Sequence, residues 1–373
     1  MKKLALLLTP LALSFGLEFG SMGNTSISMG GAGVALQHSA FGSYYNPALI
    51  SIDNKFRFGY SIGARYEQKN IDKLQKINWN AANPQLDADT KQALEENFLK
   101  LTSQNGIAMQ ISPAAMRGTF GSLGLAVYSS LFSAGVFYDP ATKPINGKPK
   151  DTAVLHSLLL TEVPVSYAKT FFMRNTNLNI GLTLKYLHAS FAREFMPLGD
   201  ITMNKIISTL PNRLTRDGAH NFGVDLGMSF GIDLPKFNYL QFGFVAKNVN
   251  APTFNFDGDV KVKIKPQYRV GIAYNQPYVT FAIDADLLPN ETFTFNPKNQ
   301  KSQMIGGGLK FDLKAIDMRI GAMYDIRQDY GLVLTTGLNI FGLFDIAFQI
   351  GTKGDTTFMP RYMALQLGGG FSF

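Results

Sequence analysis

The last thirteen residues of the chain, Arg361 to Phe373, alternate between apolar side chains and small or polar ones. Successive side chains of an extended strand point to opposite faces, so this segment has one apolar face and one small, polar face. The apolar face carries Met363, Leu365, Leu367, Gly369, Phe371 and Phe373, and the other carries Tyr362, Ala364, Gln366, Gly368, Gly370 and Ser372. A terminus this hydrophobic is unusual in soluble domains, whose ends fray into water. The pattern favours the closing strand of a membrane barrel; a buried terminal strand of a soluble sandwich is the alternative.

The same alternation recurs through most of the chain. Lys55–Tyr66 is the first clear strand, with aromatic residues at both ends of its apolar face. Thirteen later stretches are predicted as strands, at residues 106–117, 122–138, 152–171, 177–195, 219–233, 239–249, 266–275, 278–288, 302–314, 316–327, 331–341, 343–352 and 361–373. About fourteen strands, joined by alternately short and long connections, predict an all-β fold: a transmembrane antiparallel β-barrel with tight turns at one end.

Residues 68–105 interrupt this pattern. Leu86–Gln104 is rich in helix formers, and Leu94, Phe98 and Leu101 recur at helical spacing. We therefore predict one amphipathic helix in a long loop insertion. It either covers the barrel or rests on the membrane surface, or it is simply a solvated loop helix.

The composition agrees with a barrel and excludes several other classes. The chain has 373 residues with 36 Gly, 30 Phe and no Cys, and its mean hydropathy of +0.01 argues against a bundle of apolar helices. Without Cys there is neither a disulfide framework nor a zinc-thiolate site. The net charge is +8, but Lys and Arg are scattered along the chain, so we expect no nucleic-acid partner.

The N-terminus has the pattern of a secretory signal. Lys2 and Lys3 precede an apolar run from Leu4 to Leu13, and Ser14–Gly16 supplies small residues for cleavage. We predict a signal peptide over residues 1–16; a buried N-terminal helix is the alternative. No strand period follows over residues 17–54.

The stretch after the predicted signal, residues 17–54, contains two short motifs. Met29, Gly30, Gly31 and Gly33 belong to a glycine-rich stretch, and Asn46, Pro47 and Ala48 follow it. The glycines do not form a phosphate-binding loop, because no strand precedes them and the Lys-Ser/Thr pair is missing. Small residues permit tight packing in a confined space, and Asn-Pro favours a turn.

In these motifs the chain resembles the FadL family of long-chain fatty-acid channels, and more closely the TraF-like branch of that superfamily, named after conjugal transfer proteins. Further segments resemble the TraF-like pattern in the family's order: 162–168, 181–186, 245–248, 266–271 and 284–286. The resemblance implies that residues 17–54 form a plug inside a barrel of residues 55–373, with Met29, Gly30, Gly31, Gly33, Asn46, Pro47 and Ala48 as plug positions. It also implies an outer-membrane location in a Gram-negative bacterium.

Assigning the apolar face of each strand to lipid leaves a set of charged residues facing inward. The candidate lumen charges are Glu162, Lys185, Asp225, Lys247, Arg269, Asp284, Asp286 and Arg319. Unpaired burial of charge is costly, so we expect a salt-bridged network that supports plug and wall. A site where the cations attract an anionic head group is the functional alternative. Asp284 and Asp286 share one face and more readily pair with cations across the strand than perform acid–base chemistry.

Pro113 and Pro164 interrupt otherwise good strands. Proline cannot donate to the ladder and marks bulges or edges. In the FadL family a strand irregularity opens a lateral route from lumen to lipid, and one of these prolines is a candidate for such a gap. A harmless bulge is the alternative.

No enzymatic pattern emerges, so we expect no catalytic residue, cofactor or metal. The four histidines, His38, His156, His188 and His220, lack metal-ligand spacing, and no Gly-x-Ser-x-Gly elbow is present. The resemblance implies passive transport of small hydrophobic or amphipathic, fatty-acid-like molecules by a monomer in contact with outer-membrane lipid. The alternative is an envelope structural protein, associated with conjugation or secretion, whose lumen is blocked and which binds assembly partners.

Overall fold

The computed structural model describes residues 13–37, 39–52, 55–71, 88–89, 92, 98–112, 121–137, 152–197, 218–257, 260–294, 301–356 and 359–373. Within these residues, fourteen strands form a closed antiparallel barrel in sequence order. They are β1 Arg57–Lys69, β2 Phe98–Ile111, β3 Ser122–Phe137, β4 Thr152–Met173, β5 Thr176–Pro197, β6 Gly218–Leu234, β7 Asn238–Lys247, β8 Gln267–Asn275, β9 Val279–Asp286, β10 Met304–Asp312, β11 Ile316–Asp325, β12 Leu332–Ile340, β13 Phe344–Gly351 and β14 Tyr362–Ser372. The predicted all-β barrel is confirmed.

The terminal strand closes the barrel against the first one. β14 and β1 pair continuously from Tyr362 opposite Glu67 to Ser372 opposite Arg57. Beyond that ladder, the Phe56 amide donates to the Phe373 carbonyl at 2.9 Å. No edge is left open along this seam, as lipid-exposed backbone requires.

The two faces of β14 are the ones that its alternation predicts. Leu367 is 51% exposed on the outside of the barrel, whereas its neighbour Gln366 is 4% exposed on the inside. The other strands repeat this arrangement, and the exposed apolar side chains form a continuous outer band. An apolar outer band of this kind is stable in contact with the hydrocarbon of a lipid bilayer.

Connections at the two ends of the barrel differ in length. At one end β4–β5, β6–β7, β8–β9, β10–β11 and β12–β13 are joined by tight turns, and at the other the connections are long. The β12–β13 turn contains three residues, Phe341–Leu343, and both Phe341 and Gly342 have positive φ, as the central residues of a type I′ turn do. We refer to the two ends as the short-turn end and the long-loop end.

One prediction is wrong in part. The last seven residues of the predicted helix, Phe98 to Gln104, lie in β2. The first strand also continues to Lys69, so the predicted insertion at 68–105 is strand at both of its ends. Pairing with β1 and β3 overrides the local helix propensity, since it supplies ladder bonds on both sides of β2. Ala88, Asp89 and Gln92 are helical, and the rest of the predicted helix falls outside the described residues.

The N-terminal segment, residues 16–52, runs through the inside of the barrel. It contains helix α1 Asn24–Ser28, helix α2 Gly42–Tyr45 and a 3-10 turn at Pro47–Ser51, and most of its side chains are buried. No helix among the described residues is long and apolar enough to cross a membrane. Before this segment, Leu13–Phe15 pairs in parallel with Val260–Val262 of a long loop. The division into signal, plug and barrel at residues 16 and 54 stays a prediction.

Leu367 lies at the middle of the outward face of β14 and tests the lipid assignment. We expect Leu367→Arg to lower the free energy of unfolding in bilayers by about 2–4 kcal/mol, because it places a cation in hydrocarbon. Met363→Arg, on the same face near the strand end, should cost at most about 1 kcal/mol. Denaturant titration of the protein refolded into lipid vesicles measures both, and equal costs at the two positions would contradict the assignment.

Candidate functional site

The glycine-rich stretch of the N-terminal segment lies directly against the barrel wall. The Gly30 amide donates to Thr335 Oγ1 at 3.0 Å, and the Thr335 hydroxyl donates to the Ser28 carbonyl at 2.9 Å. A Cβ placed on Gly306 of β10 would come within 2.0 Å of the Gly30 carbonyl oxygen. Because no side chain fits between the two backbones, a wall glycine is required at that position.

Asp284 of β9 holds the next turn of the segment. Its Oδ2 accepts hydrogen bonds from the amides of Gly33 at 2.7 Å and Val34 at 2.8 Å. The carboxylate is buried, and two amide donors compensate for part of its desolvation. Asp284 therefore ties the N-terminal segment to the wall.

The Asn-Pro-Ala motif forms a second attachment. Asn46 Nδ2 donates to the carbonyls of Val34 at 3.0 Å and Met228 at 3.1 Å, and Asn46 Oδ1 accepts from the Ala48 amide at 3.0 Å. The last of these bonds caps the 3-10 turn, which begins at Pro47. Asn46 thus joins two parts of the N-terminal segment to β6.

Wall glycines make room for this motif as well. A Cβ on Gly181 of β5 would lie 2.4 Å from the Ala48 nitrogen, and one on Gly227 of β6 would lie 2.1 Å from Asn46 Oδ1. Sequence reasoning did not single out these glycines. Both glycines lie in the interior of predicted strands, and a glycine at such a position can mark a place where another backbone approaches closely.

Three of the predicted lumen charges form one buried cluster. Lys185 Nζ lies 3.3 Å from Glu162 Oε2 and 3.0 Å from Asp225 Oδ1. Asp225 also accepts a hydrogen bond from the Asn248 amide at 2.7 Å. The lysine sits between two carboxylates from neighbouring strands, as a paired network requires.

Two further wall cations face aromatic rings of the N-terminal segment. Arg269 Nε donates to Asp286 Oδ1 at 2.6 Å, and its guanidinium lies 3.9 Å from the Phe19 ring centroid. Lys247 Nζ lies 3.6 Å from the Tyr44 centroid and 4.6 Å from that of Phe19. Cation–π attraction is strengthened where the cation is shielded from water, so these rings bind the segment to β7 and β8.

Arg319 makes the remaining contact between a predicted lumen charge and the N-terminal segment. Its Nη2 lies 2.6 Å from Asp345 Oδ1, and its Nη1 donates to Thr25 Oγ1 at 3.1 Å. All eight predicted lumen charges thus lie on the inner side of the wall. Asp284, Lys247, Arg269 and Arg319 contact the N-terminal segment directly.

A charged network near the long-loop end was missed. Glu67 accepts a hydrogen bond from Lys100 Nζ at 3.3 Å and forms an ion pair with Arg65, whose Nε lies 2.7 Å from Glu67 Oε1. Glu67 also pairs with the Tyr330 hydroxyl. Arg65 pairs in turn with Glu18 of the N-terminal segment. Glu67 and Lys100 stand directly opposite on β1 and β2. Lys100 fell in the stretch interpreted as a loop insertion, and Glu67 lay just beyond the end of the first predicted strand.

The tyrosine hydroxyls of the N-terminal segment remain neutral. Tyr45 Oη accepts a hydrogen bond from the Met22 amide at 2.8 Å. Burial raises the pKa of Tyr45 to about 12, and the hydrogen bonds to the ring oxygen only partly oppose this. Tyr45 therefore acts as a hydrogen-bonding and packing group at neutral pH.

Three cavities that described residues line beside the N-terminal segment are small. They measure about 30, 20 and 30 Å³, each room for about one water molecule. A larger cavity of about 530 Å³ opens at the short-turn end, where turn residues Lys314, Phe341 and Gly342 form part of its rim. The segment separates this cavity from the long-loop end.

The wall is irregular at Pro164. β3 and β4 pair at Leu125 opposite Val165 and again at Tyr128 opposite Glu162, with no pairing at the two positions between. The register is the same on both sides, so this is an interruption of the ladder and not a bulge. Pro113 lies outside the described residues.

The histidines lie on different sides of the barrel wall. Of the residues that the structure describes, no three His, Cys, Asp or Glu side chains converge to hold a metal ion. His156 lies inside the barrel and accepts from Arg193 Nε at 3.0 Å, whereas His188 and His220 lie on the outer side of β5 and β6. His38 is outside the described residues.

Comparison with known proteins gives a family match and a fold match. The model of the family "F plasmid transfer operon, TraF, protein" matches residues 43–286. No curated protein matches the chain.

The toluene transporter TodX of Pseudomonas putida has 12% identity and a TM-score of 0.52, covering 95% of this chain and 98% of its own. The monoaromatic hydrocarbon channel CymD has 12% identity and a TM-score of 0.50, with 96% and 98% covered. At this identity the two structures show a shared fold.

Removing the Asp284 carboxylate tests its role as an attachment point. We expect Asp284→Ala to lower the local opening free energy at Gly33 and Val34 by about 2 kcal/mol, because both amides lose a charged acceptor. Native-state hydrogen exchange of the amides of residues 29–36 measures this opening free energy. Asp345→Asn, which contacts Arg319 on another part of the wall, is the matched control. Unchanged exchange in Asp284→Ala would show that other contacts hold this turn.

Proposed function

This chain belongs to the family of F plasmid transfer operon TraF proteins and has the FadL-like barrel fold, and we propose that it is an outer-membrane channel for small hydrophobic molecules. Passive movement of such molecules needs no catalytic residue or cofactor, and we assign none. The proposal places the chain in the outer membrane of a Gram-negative bacterium as a monomer. Residues 1–16 act as the signal, 17–54 as the plug and 55–373 as the barrel.

The outer surface supports this location. Exposed Leu, Ile, Val and Phe side chains cover the wall on every strand pair. Aromatic residues lie near both ends of the outward face of β1, and Phe371 lies at the short-turn end of β14. TodX and CymD, whose fold the chain shares, are described as a toluene transporter and a monoaromatic hydrocarbon channel. We extend hydrophobic transport to this chain as a proposal; small aromatic hydrocarbons and fatty-acid-like molecules are both candidate ligands.

The observation that carries the proposal is the interrupted ladder at Pro164. On the lipid side the gap is flanked by the exposed side chains of Val127 and Val163. On the lumen side Tyr128 packs against Phe41 and Tyr44, with ring centroids 6.4 and 5.1 Å apart. An apolar patch of the lumen therefore lies behind the one stretch of the described β3–β4 ladder that lacks pairing.

A lateral exit also fits the closed lumen. A dry cavity that holds benzene measures about 150 Å³, several times the 30 Å³ cavities around the N-terminal segment. Transport along the barrel axis would need displacement of that segment, whereas a sideways route at Pro164 needs only local separation of β3 and β4. We propose that the ligand leaves the lumen sideways, past Ala126 and Pro164.

A second function has a specific observation in its favour. The N-terminal segment fills the lumen and is held by Asp284, Asn46, Arg319 and Thr335. Such a permanently blocked barrel would suit an envelope structural protein that binds assembly partners in conjugation or secretion. The family's description, which names a transfer operon, is compatible with this alternative. Under this alternative, the charged residues inside the barrel hold the N-terminal segment and the wall together and bind no ligand.

A disulfide staple beside the gap separates the two functions. A Cβ on Gly124 would lie 3.4 Å from Ser166 Cβ, directly across β3 and β4, which is near the separation that a disulfide spans. The chain has no cysteine, so the double variant Gly124→Cys/Ser166→Cys has no competing thiol. We expect its oxidised form to take up toluene and a labelled fatty acid into liposomes several-fold more slowly than its reduced form.

The reduced form is the control for folding, since both forms contain the same substitutions. Pro164→Val is the second variant: it restores an N–H to the ladder and should also slow uptake. Rapid uptake by both the oxidised staple and Pro164→Val would contradict the lateral route but leave a channel. No uptake by the unmodified protein would remove the transport function and favour the assembly role.

A further inference from the structure

Two histidines lie opposite each other on the outer face of the barrel. His188 of β5 and His220 of β6 are direct cross-strand partners. Residues on the same face of β5, Leu182, Leu184 and Tyr186, belong to the exposed apolar band. His188 follows them toward the long-loop end, so the pair lies where the apolar band meets the aqueous side.

The separation of the two rings matches that of two metal ligands. His188 Nδ1 and His220 Nδ1 are 3.2 Å apart, and the ring centroids are 4.6 Å apart. Two nitrogens bound tetrahedrally to one Zn²⁺ at 2.0–2.1 Å would stand about 3.3 Å apart. A single cation can therefore bind both nitrogens with little movement of either ring.

Neighbouring groups orient the rings for this task. Ser190 Oγ lies 3.4 Å from His188 Nε2, the nitrogen that would not bind the metal. Hydrogen bonding at the second nitrogen fixes the tautomer and orientation of metal-binding histidines. Tyr186 Oη lies 2.5 Å from His220 Nδ1, and a cation that binds this nitrogen takes the place of that hydrogen bond.

The backbone beside the pair also leaves room for it. A Cβ on Gly218 would come within 2.1 Å of His188 Cε1, so the Cε1 edge of the imidazole occupies the space beside that glycine. On the other side, Tyr186 stacks on His220 with an interplanar angle of 25°. Both rings are thus held in place while their Nδ1 atoms face each other.

We propose that His188 and His220 form a two-histidine site for a late first-row divalent cation at the outer rim of the barrel. Imidazole nitrogens suit Cu²⁺, Ni²⁺ and Zn²⁺, and Cu²⁺ binds most tightly to such ligands. Water completes the coordination. The bound cation links β5 to β6 above the apolar band and so stabilises that hairpin against separation from the long-loop end.

Titration of Cu²⁺ into the untagged, full-length protein in detergent micelles tests the site. We expect one Cu²⁺ bound per chain and an electron paramagnetic resonance spectrum with hyperfine splitting from two nitrogens. His220→Phe should abolish binding while keeping an aromatic ring against Tyr186 at the membrane boundary. His188→Gln should abolish it independently.

His156→Ala is the matched control, because it removes a histidine from the barrel interior and leaves the rim pair intact. Heat-modifiable migration on gels reports whether each variant retains the folded barrel. Loss of Cu²⁺ binding in both rim variants, with binding retained in His156→Ala, supports the site. Unchanged binding in folded His220→Phe, or no stoichiometric binding to the unmodified protein, would overturn it.

Discussion

Closure of the backbone ladder between the last and first strands is the constraint on which the rest of the structure depends. An unpaired N–H or C=O in hydrocarbon costs several kcal/mol, so a spanning sheet must have no free edge. β14 meets β1 along its whole length, and the pairing continues to Phe56 and Phe373. Once the sheet is closed, the period of two assigns every second side chain to lipid and the rest to the lumen.

The lumen side of this division explains the N-terminal segment. Charged and amide side chains cannot face hydrocarbon, and inside a narrow barrel they need partners. The backbone of the segment supplies some of them: Asp284 accepts from Gly33 and Val34, and Gln349 Nε2 donates to the Ile27 carbonyl at 2.7 Å. Wall and segment therefore satisfy each other's polar groups. Several wall glycines, such as Gly306, lie where the two backbones nearly touch.

Much of the barrel could be predicted from the sequence, because lipid on one side makes the period of two strict. The number of strands and the outward face of β14 follow from that period alone. The first half of β2 could not be placed, since Phe98 to Gln104 has a helix-favouring composition and becomes a strand only through its neighbours. The inward charges could be identified, but their partners could not: Asp286 pairs with a cross-strand arginine as expected, whereas Asp284 binds backbone amides 250 and 251 residues away. Long-range contacts of this kind leave no local pattern, and neither do the close approaches at Gly181 and Gly227.

The central claim is a closed barrel with alternate residues in lipid and in a filled lumen, and fluorescence quenching along β14 tests it most directly. Because the chain contains no cysteine, single cysteines placed in turn at residues 363–371 can each carry one fluorophore in vesicles that contain brominated lipid. The account predicts strong quenching at positions 363, 365, 367 and 371 and weak quenching at 364, 366, 368 and 370. Uniform quenching along the strand, or a protein that stays dissolved and monomeric without lipid or detergent, would contradict it.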